Sequence, residues 1–162
     1  MRFLEITYWN FEGIRQYGEL ICHHLVADEL VLIFEELYEA KYPVATIQLI
    51  DNFNADDEVS MANNNTHVFN YRTMAGTNKL SNHAYGLAID INPINNPYVK
   101  GDYVTPLEGI DYIDRNLMEI GMIHENDVLY NAFIKHGWSW GGNWNSVKDY
   151  QHFEKYIKGV NQ

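Results

Sequence analysis

At 162 residues the chain fits one domain, 1–162, and is long enough to bury a real core. Its formal net charge of −11, from 11 Lys and Arg against 22 Asp and Glu, excludes the clustered basic surface that nucleic acid or an anionic membrane requires of a partner. The single cysteine, Cys22, rules out an internal disulfide and reads as a buried inert thiol, while the 12 tyrosines suit a core, a surface or a groove for an extended ligand.

Residues 1–17 are mixed and carry no clear pattern. Residues 1–10 hold one basic residue and an apolar run broken at Glu5, so neither a secretory signal nor a membrane span is expected there. Residues 19–24 read as a strand. Residues 26–41 then place Val26, Leu30, Ile33, Phe34, Leu37 and Tyr38 at helical spacing, and Pro43 closes that amphipathic helix. Residues 44–50 read as a buried strand of aliphatic and β-branched residues. His23 and His24 resemble a ligand pair, but neighbours on a strand face opposite ways.

Residues 52–65, rich in Asn and Asp, read as a solvated loop, since they lack the ordered acidic pattern of a calcium loop. Polar and apolar residues alternate over 66–72, which places Val68 inward and Arg72 at the end of a strand. Arg72 reads as functional rather than as a plain surface charge, because Arg is scarce here and a ligand-type histidine follows eleven residues later. His67 takes no assignment.

In Ser81-Asn82-His83-Ala84-Tyr85-Gly86-Leu87-Ala88-Ile89-Asp90, a histidine and a carboxylate stand seven positions apart across a glycine. Neutral imidazole and carboxylate both suit zinc, and Gly86 permits a sharp turn between them. Leu87, Ile89 and Ile91 then alternate with Ala88, Asp90 and Asn92, a strand pattern that turns Asp90 away from the core. Two ligands do not make a stable site, so a third is required. Residues 95–105 form a Pro- and Gly-punctuated loop suited to one edge of a cleft. Residues 111–122 and 127–136 read as short helices, the second capped by Asp127 and stopped at Gly137, with His136 facing its dipole and His124 in a loop.

The third ligand is expected at His152, in Asp149-Tyr150-Gln151-His152-Phe153-Glu154. Asp149 supplies a carboxylate able to act on a metal-bound water. Residues three apart on a regular strand face opposite ways, so the pair can converge only through a bend, expected at 145–148. The change from helical to alternating periodicity after Pro43 points to an α+β fold, with the long helix behind a mostly antiparallel sheet that carries both metal motifs on its open face. No repeat, linker or low-complexity segment divides the chain.

Ser-x-His-x6-Asp, the later Asp-x-x-His and the phrase Trp138-Ser139-Trp140-Gly141-Gly142 together resemble the zinc D-alanyl-D-alanine carboxypeptidase and L-alanyl-D-glutamate peptidase family, over residues 18–154. That family cleaves peptidoglycan stem peptides. The resemblance implies a hedgehog/DD-peptidase-like fold, Zn2+ on His83, Asp90 and His152, Asp149 as general base, and Arg72 as a substrate or transition-state contact. Ser81, Trp140 and Tyr150 are the expected substrate contacts, with Trp144 a further candidate for the groove wall. The expected partner is a peptidoglycan stem peptide met by a monomer at the cell wall, reached after release or by another export route. Aspartate rather than glutamate at position 149 resembles the L-alanyl-D-glutamate endopeptidase branch. The alternatives are a D-alanyl-D-alanine carboxypeptidase and, in another class, a non-catalytic zinc-binding recognition domain, against which the retention of Asp149 speaks.

Overall fold

In the computed structural model, which describes residues 1–161, the chain opens with a hairpin. Strands β1 (Arg2–Trp9) and β2 (Arg15–Cys22) pair antiparallel along their whole length, and the Asn10 side chain closes the turn by accepting from the backbone N–H of Glu12 and Ile14. Residues 1–17, in which no clear pattern was legible, thus form β1, the turn and the start of β2. Their alternation was masked because the apolar Phe3 stands on the outward face, while Ile6 and Tyr8 turn inward. Helix α1 (Ala27–Glu39) follows as expected and lays Leu30, Ile33, Phe34 and Leu37 against this hairpin.

The expected strand over 44–50 shrinks to β3 (Thr46–Ile47), which pairs in parallel with β4 (Asn65–Thr66). The expected loop between them holds a 3-10 turn (Ile50–Phe53) and helix α2 (Asp57–Ala62), whose N-terminus is capped by Asp56 accepting from the Val59 N–H at 3.1 Å. Beyond β4 the chain touches β5 (Ala88–Asp90) only through a bridge at His67, so Arg72 lies in coil rather than at a strand end.

Two three-stranded antiparallel sheets complete the fold. One has the order β5, β10 (His152–Glu154), β8 (Ser139–Trp140); the other runs β7 (Tyr103–Thr105), β6 (Tyr98–Lys100), β9 (Lys148–Asp149). Residues 95–105 thus carry a hairpin where a loop was expected. Residues 111–122 form no helix beyond the end of a 3-10 turn (Leu107–Tyr112), whereas helix α3 (Val128–Lys135) has the expected Asp127 cap, which accepts from the Tyr130 N–H at 2.7 Å. The architecture is α+β and mostly antiparallel, but its sheet is divided into small pieces around one core. Among the described residues no helix is long and apolar enough to cross a membrane.

Gly86 sets the junction between hairpin and site. It ends the 3-10 turn Asn82–Tyr85 with φ at +68°, and a Cβ there would meet the His23 nitrogen at 2.6 Å. Both the left-handed backbone and the close approach demand glycine. Gly86→Ala is expected to cost at least about 2 kcal/mol and to lower the melting temperature by about 4 °C or more, checked by calorimetry.

Candidate metal centre

Antiparallel pairing assembles the centre. His152 on β10 lies directly opposite Asp90 on β5, and His67 bridges Asp90 from the other side. Directly opposed residues share a face of the sheet, so the three side chains stand in a row. His83 reaches the same row from its 3-10 turn, which Ser81 caps by accepting from the His83 N–H at 3.3 Å.

The distances are those of a ligand set. His83 Nε2 lies 3.2 Å from Asp90 Oδ2, His152 Nδ1 lies 2.9 Å from Asp90 Oδ1, and the two imidazole nitrogens are 3.3 Å apart. A tetrahedral zinc ion with bonds of about 2.0–2.2 Å requires ligand atoms about 3.3 Å from one another. Both tautomers are set for it. His83 Nδ1 donates to the Val68 carbonyl at 2.7 Å, which leaves the Nε2 lone pair facing Asp90. His152 Nε2 donates to Glu154 Oε2 at 3.3 Å, which leaves Nδ1. Glu154 is itself held by the Asn82 amide at 2.6 Å and the Tyr156 hydroxyl at 2.8 Å, a buried carboxylate that orients the His152 ring as a second-layer carboxylate orients a ligand histidine. Its position two residues beyond His152, on the same strand face, is the signal by which the sequence could have revealed it.

His67 is the larger omission of the sequence reading. Its ligand atom lies within 4.8 Å of those of His83 and Asp90, so a second metal set, His67, His83 and Asp90, overlaps the first. The set with His152 fits better, because its three contacts have ligand-edge lengths whereas the His67 ring hydrogen-bonds to neither side chain and stacks on His83 with centroids 5.2 Å apart. Both ring nitrogens of His67 are buried without a hydrogen-bond partner among the described residues.

Asp149 arrives on β9. The reversal that lets it converge with His152 is a turn at Tyr150 and Gln151, between the two residues, beyond a bend at 145–147. Asp149 is partly exposed as a residue, but its Oδ1 is out of solvent and without a partner among the described residues. Gly141 packs on its backbone so closely that a Cβ would stand 2.9 Å from the Asp149 Cβ. A cleft of about 1190 Å³ runs past these groups, lined by His83, Asp90, Asp149 and His152 at its floor and by Arg72 and Trp144 at its sides. Trp144 lies against His152, with ring centroids 5.5 Å apart. The structure does not place Trp140 or Tyr150 on this wall. Trp140 is buried on the core side of β8 against Tyr130 and Phe153, and Tyr150, in the turn between β9 and β10, stacks beneath the Arg115 guanidinium at 4.4 Å.

Charge follows from this packing. Burial works against ionisation of Asp90, but His83 and His152, both in contact with it, hold its carboxyl well below the usual range. Burial also opposes the charge on His152, yet hydrogen bonds to Asp90 and Glu154 push it up to about 10. Glu154, despite burial, is brought down to about 2 by His152. Burial and the neighbouring His83 lower His67 to about 4, and burial raises Asp149 to about 7 against the pull of His152.

Residues 75–155, half of the chain, match the family model described as D-alanyl-D-alanine carboxypeptidase. The match includes His83, Asp90, Asp149, His152 and Glu154 and stops short of Asp57, His67 and Arg72. No curated protein and no solved structure matches the chain.

Two outcomes follow for metal binding. Glu154→Ala is expected to weaken zinc affinity about 10–100-fold by freeing the His152 ring, read by competition with a chelator. His152 carries a proton at neutral pH when no metal is bound, and coordination must displace it. Affinity therefore rises with pH, about tenfold per unit, until about pH 10 where His152 is already neutral. Titration calorimetry in buffers of different ionisation enthalpy should find about one proton released per metal; equal affinity at about pH 6 and about pH 8 would contradict this.

Proposed function

The chain belongs to the D-alanyl-D-alanine carboxypeptidase family, and on that premise we propose that it is a zinc metallopeptidase that cuts peptidoglycan stem peptides between L-alanine and D-glutamate. The observation that carries the reading is the convergence of His83 Nε2, Asp90 and His152 Nδ1 at ligand-edge distances, with both tautomers fixed and Asp149 beside them. When bound there, a zinc ion supplies Lewis acidity and acidifies a water.

The chain's own residues divide the remaining work. Asp149, raised to about 7 and with an unpartnered Oδ1, takes a proton from the attacking water as its oxygen bonds to the scissile carbonyl carbon. It returns that proton to the amide nitrogen as the C–N bond breaks, so an acid and a new amine leave. Arg72, at the cleft side, offers a guanidinium fork for a carboxylate next to the scissile bond. D-glutamate joined through its side chain presents such a carboxylate. The volume of the cleft exceeds that of a common small-molecule site, which suits a peptide that continues past the cut on both sides. Trp144 closes one side of the His152 ring and reduces access of bulk water.

Incubation of the zinc-loaded protein with purified muropeptides tests this reading through product masses. Release of a peptide beginning with D-glutamate is expected. Loss of one alanine from pentapeptides alone would make it a carboxypeptidase, and no product from a protein holding one zinc would make it a recognition domain. Asp149→Asn is expected to lower kcat at least about 100-fold with zinc content unchanged.

A further inference from the structure

Outside the matched residues, a second carboxylate stands where the ligand set and the cleft wall meet. Asp57, in the first turn of α2, places Oδ2 2.9 Å from Arg72 Nη2. Its Oδ1 accepts from the Asn70 amide at 3.1 Å and lies 3.5 Å from His67 Nε2. Both Asp57 and Arg72 line the cleft. We propose that Asp57 is the positioning residue for Arg72, fixing the guanidinium over the cleft as the recognition group for a peptide carboxylate; the inference rests on the role given to Arg72 above.

Arg72 is partly exposed and comes from coil, so nothing in the backbone confines its long side chain to one rotamer. An arginine free to sample solvent would lose much of its binding advantage to ordering. Asp57 removes that freedom by holding one end of the fork. Asp57 cannot swing away with it, because Asn70 grips its other oxygen and the buried His67 ring blocks that side. The backbone on the far side is pinned too, through the Ser81 N–H to the Arg72 carbonyl at 3.0 Å. One donor of the fork is thereby spent on positioning, and Nε–H remains buried and without a partner among the described residues. A buried donor of that kind is costly unless a ligand acceptor meets it. His67 in turn ties the clamp to the metal row, since it packs on His83 and bridges Asp90.

The test is equilibrium binding of a D-glutamyl peptide, the product that cannot be cut again, to the zinc-loaded full chain. The peptide is used with its α-carboxyl free and as the α-carboxamide. Arg72→Ala and Asp57→Ala are each expected to weaken the acid about tenfold and leave the amide unchanged, with zinc content at the wild-type level. The double variant should bind the acid no more weakly than Arg72→Ala alone, because the two residues act as one unit. Asp57→Asn, which keeps the shape but carries no charge and can accept from only one of Arg72 and the Asn70 amide, should weaken the acid about threefold; it decides the matter if Asp57→Ala does not fold, and unchanged affinity then overturns the inference. Additive losses, or equal losses on acid and amide, overturn it as well. If Arg72→Ala discriminates acid from amide and Asp57→Ala does not, only the clamp fails. If Arg72→Ala makes no distinction, carboxylate recognition by Arg72 fails and the clamp falls with it.

Discussion

The centre depends on the register of two three-residue strands. Ile89 pairs with Phe153 in the same ladder in which Asp90 pairs with His152, and both apolar residues are fully buried. Phe153 stacks on Phe133 of α3 at 4.4 Å, so the apolar half of the ladder is fixed by the core. Side chains alternate along a strand, so a slip by one residue would bring Ile89 to the site and drive Asp90 into the core. Packing on one face thus sets the positions of the candidate ligands on the other.

Burying a carboxylate among imidazoles is costly unless every polar atom is placed. The fold meets that demand with short side-chain bridges rather than long strands. His83 is anchored to Val68, His152 to Glu154, and Glu154 to Asn82 and Tyr156. A second network of asparagines holds the segment that continues from β5. Asn92 and Asn96 both donate to the Gly121 carbonyl, Asn96 Oδ1 accepts from the Ile123 N–H at 2.7 Å, and Arg115 spans Asn95, Asn96 and Ile123. These residues have no periodic pattern to advertise them, yet they carry β6 and its neighbours to the rim of the cleft. The cation over Tyr150 ties the same network to the turn between Asp149 and His152.

What the sequence made legible was local. The spacing of His83 and Asp90 across Gly86 and the amphipathic stripe of α1 both report on a few adjacent turns, and both match the structure. His67 was invisible because its place depends on a bridge to a residue 23 positions away, and nothing in its own neighbourhood signals that pairing. The first hairpin escaped for the opposite reason: its alternation was present, but an apolar Phe3 on the outer face obscured it. Trp140 and Tyr150 were groove candidates as large aromatics beside the motif, and large aromatics serve groove and core alike; only the facing of β8 and the turn at Tyr150 separate the two. The bend expected at 145–148 is present at 145–147, and the reversal itself falls at Tyr150 and Gln151.

A chain with a net charge of −11 would be an odd host for a peptide rich in carboxylates if charge acted only in bulk. Screening decides the matter. At physiological ionic strength, exposed charges more than about 8 Å apart are largely hidden from each other, so the acidic outer surface contributes little at the cleft floor. Near that floor the balance differs. Arg72, Lys79 and Lys100 line the cleft, and of the carboxylates that share it Asp57 is already paired with Arg72 while Asp90 and Glu154 are committed to histidines. Asp149, raised to about 7, is partly neutral at physiological pH. With Arg72 and Asp57 paired to one another, Lys79 and Lys100 are the cations the cleft offers an anion at contact distance, where interaction strength depends on neighbours rather than on the sum over the molecule.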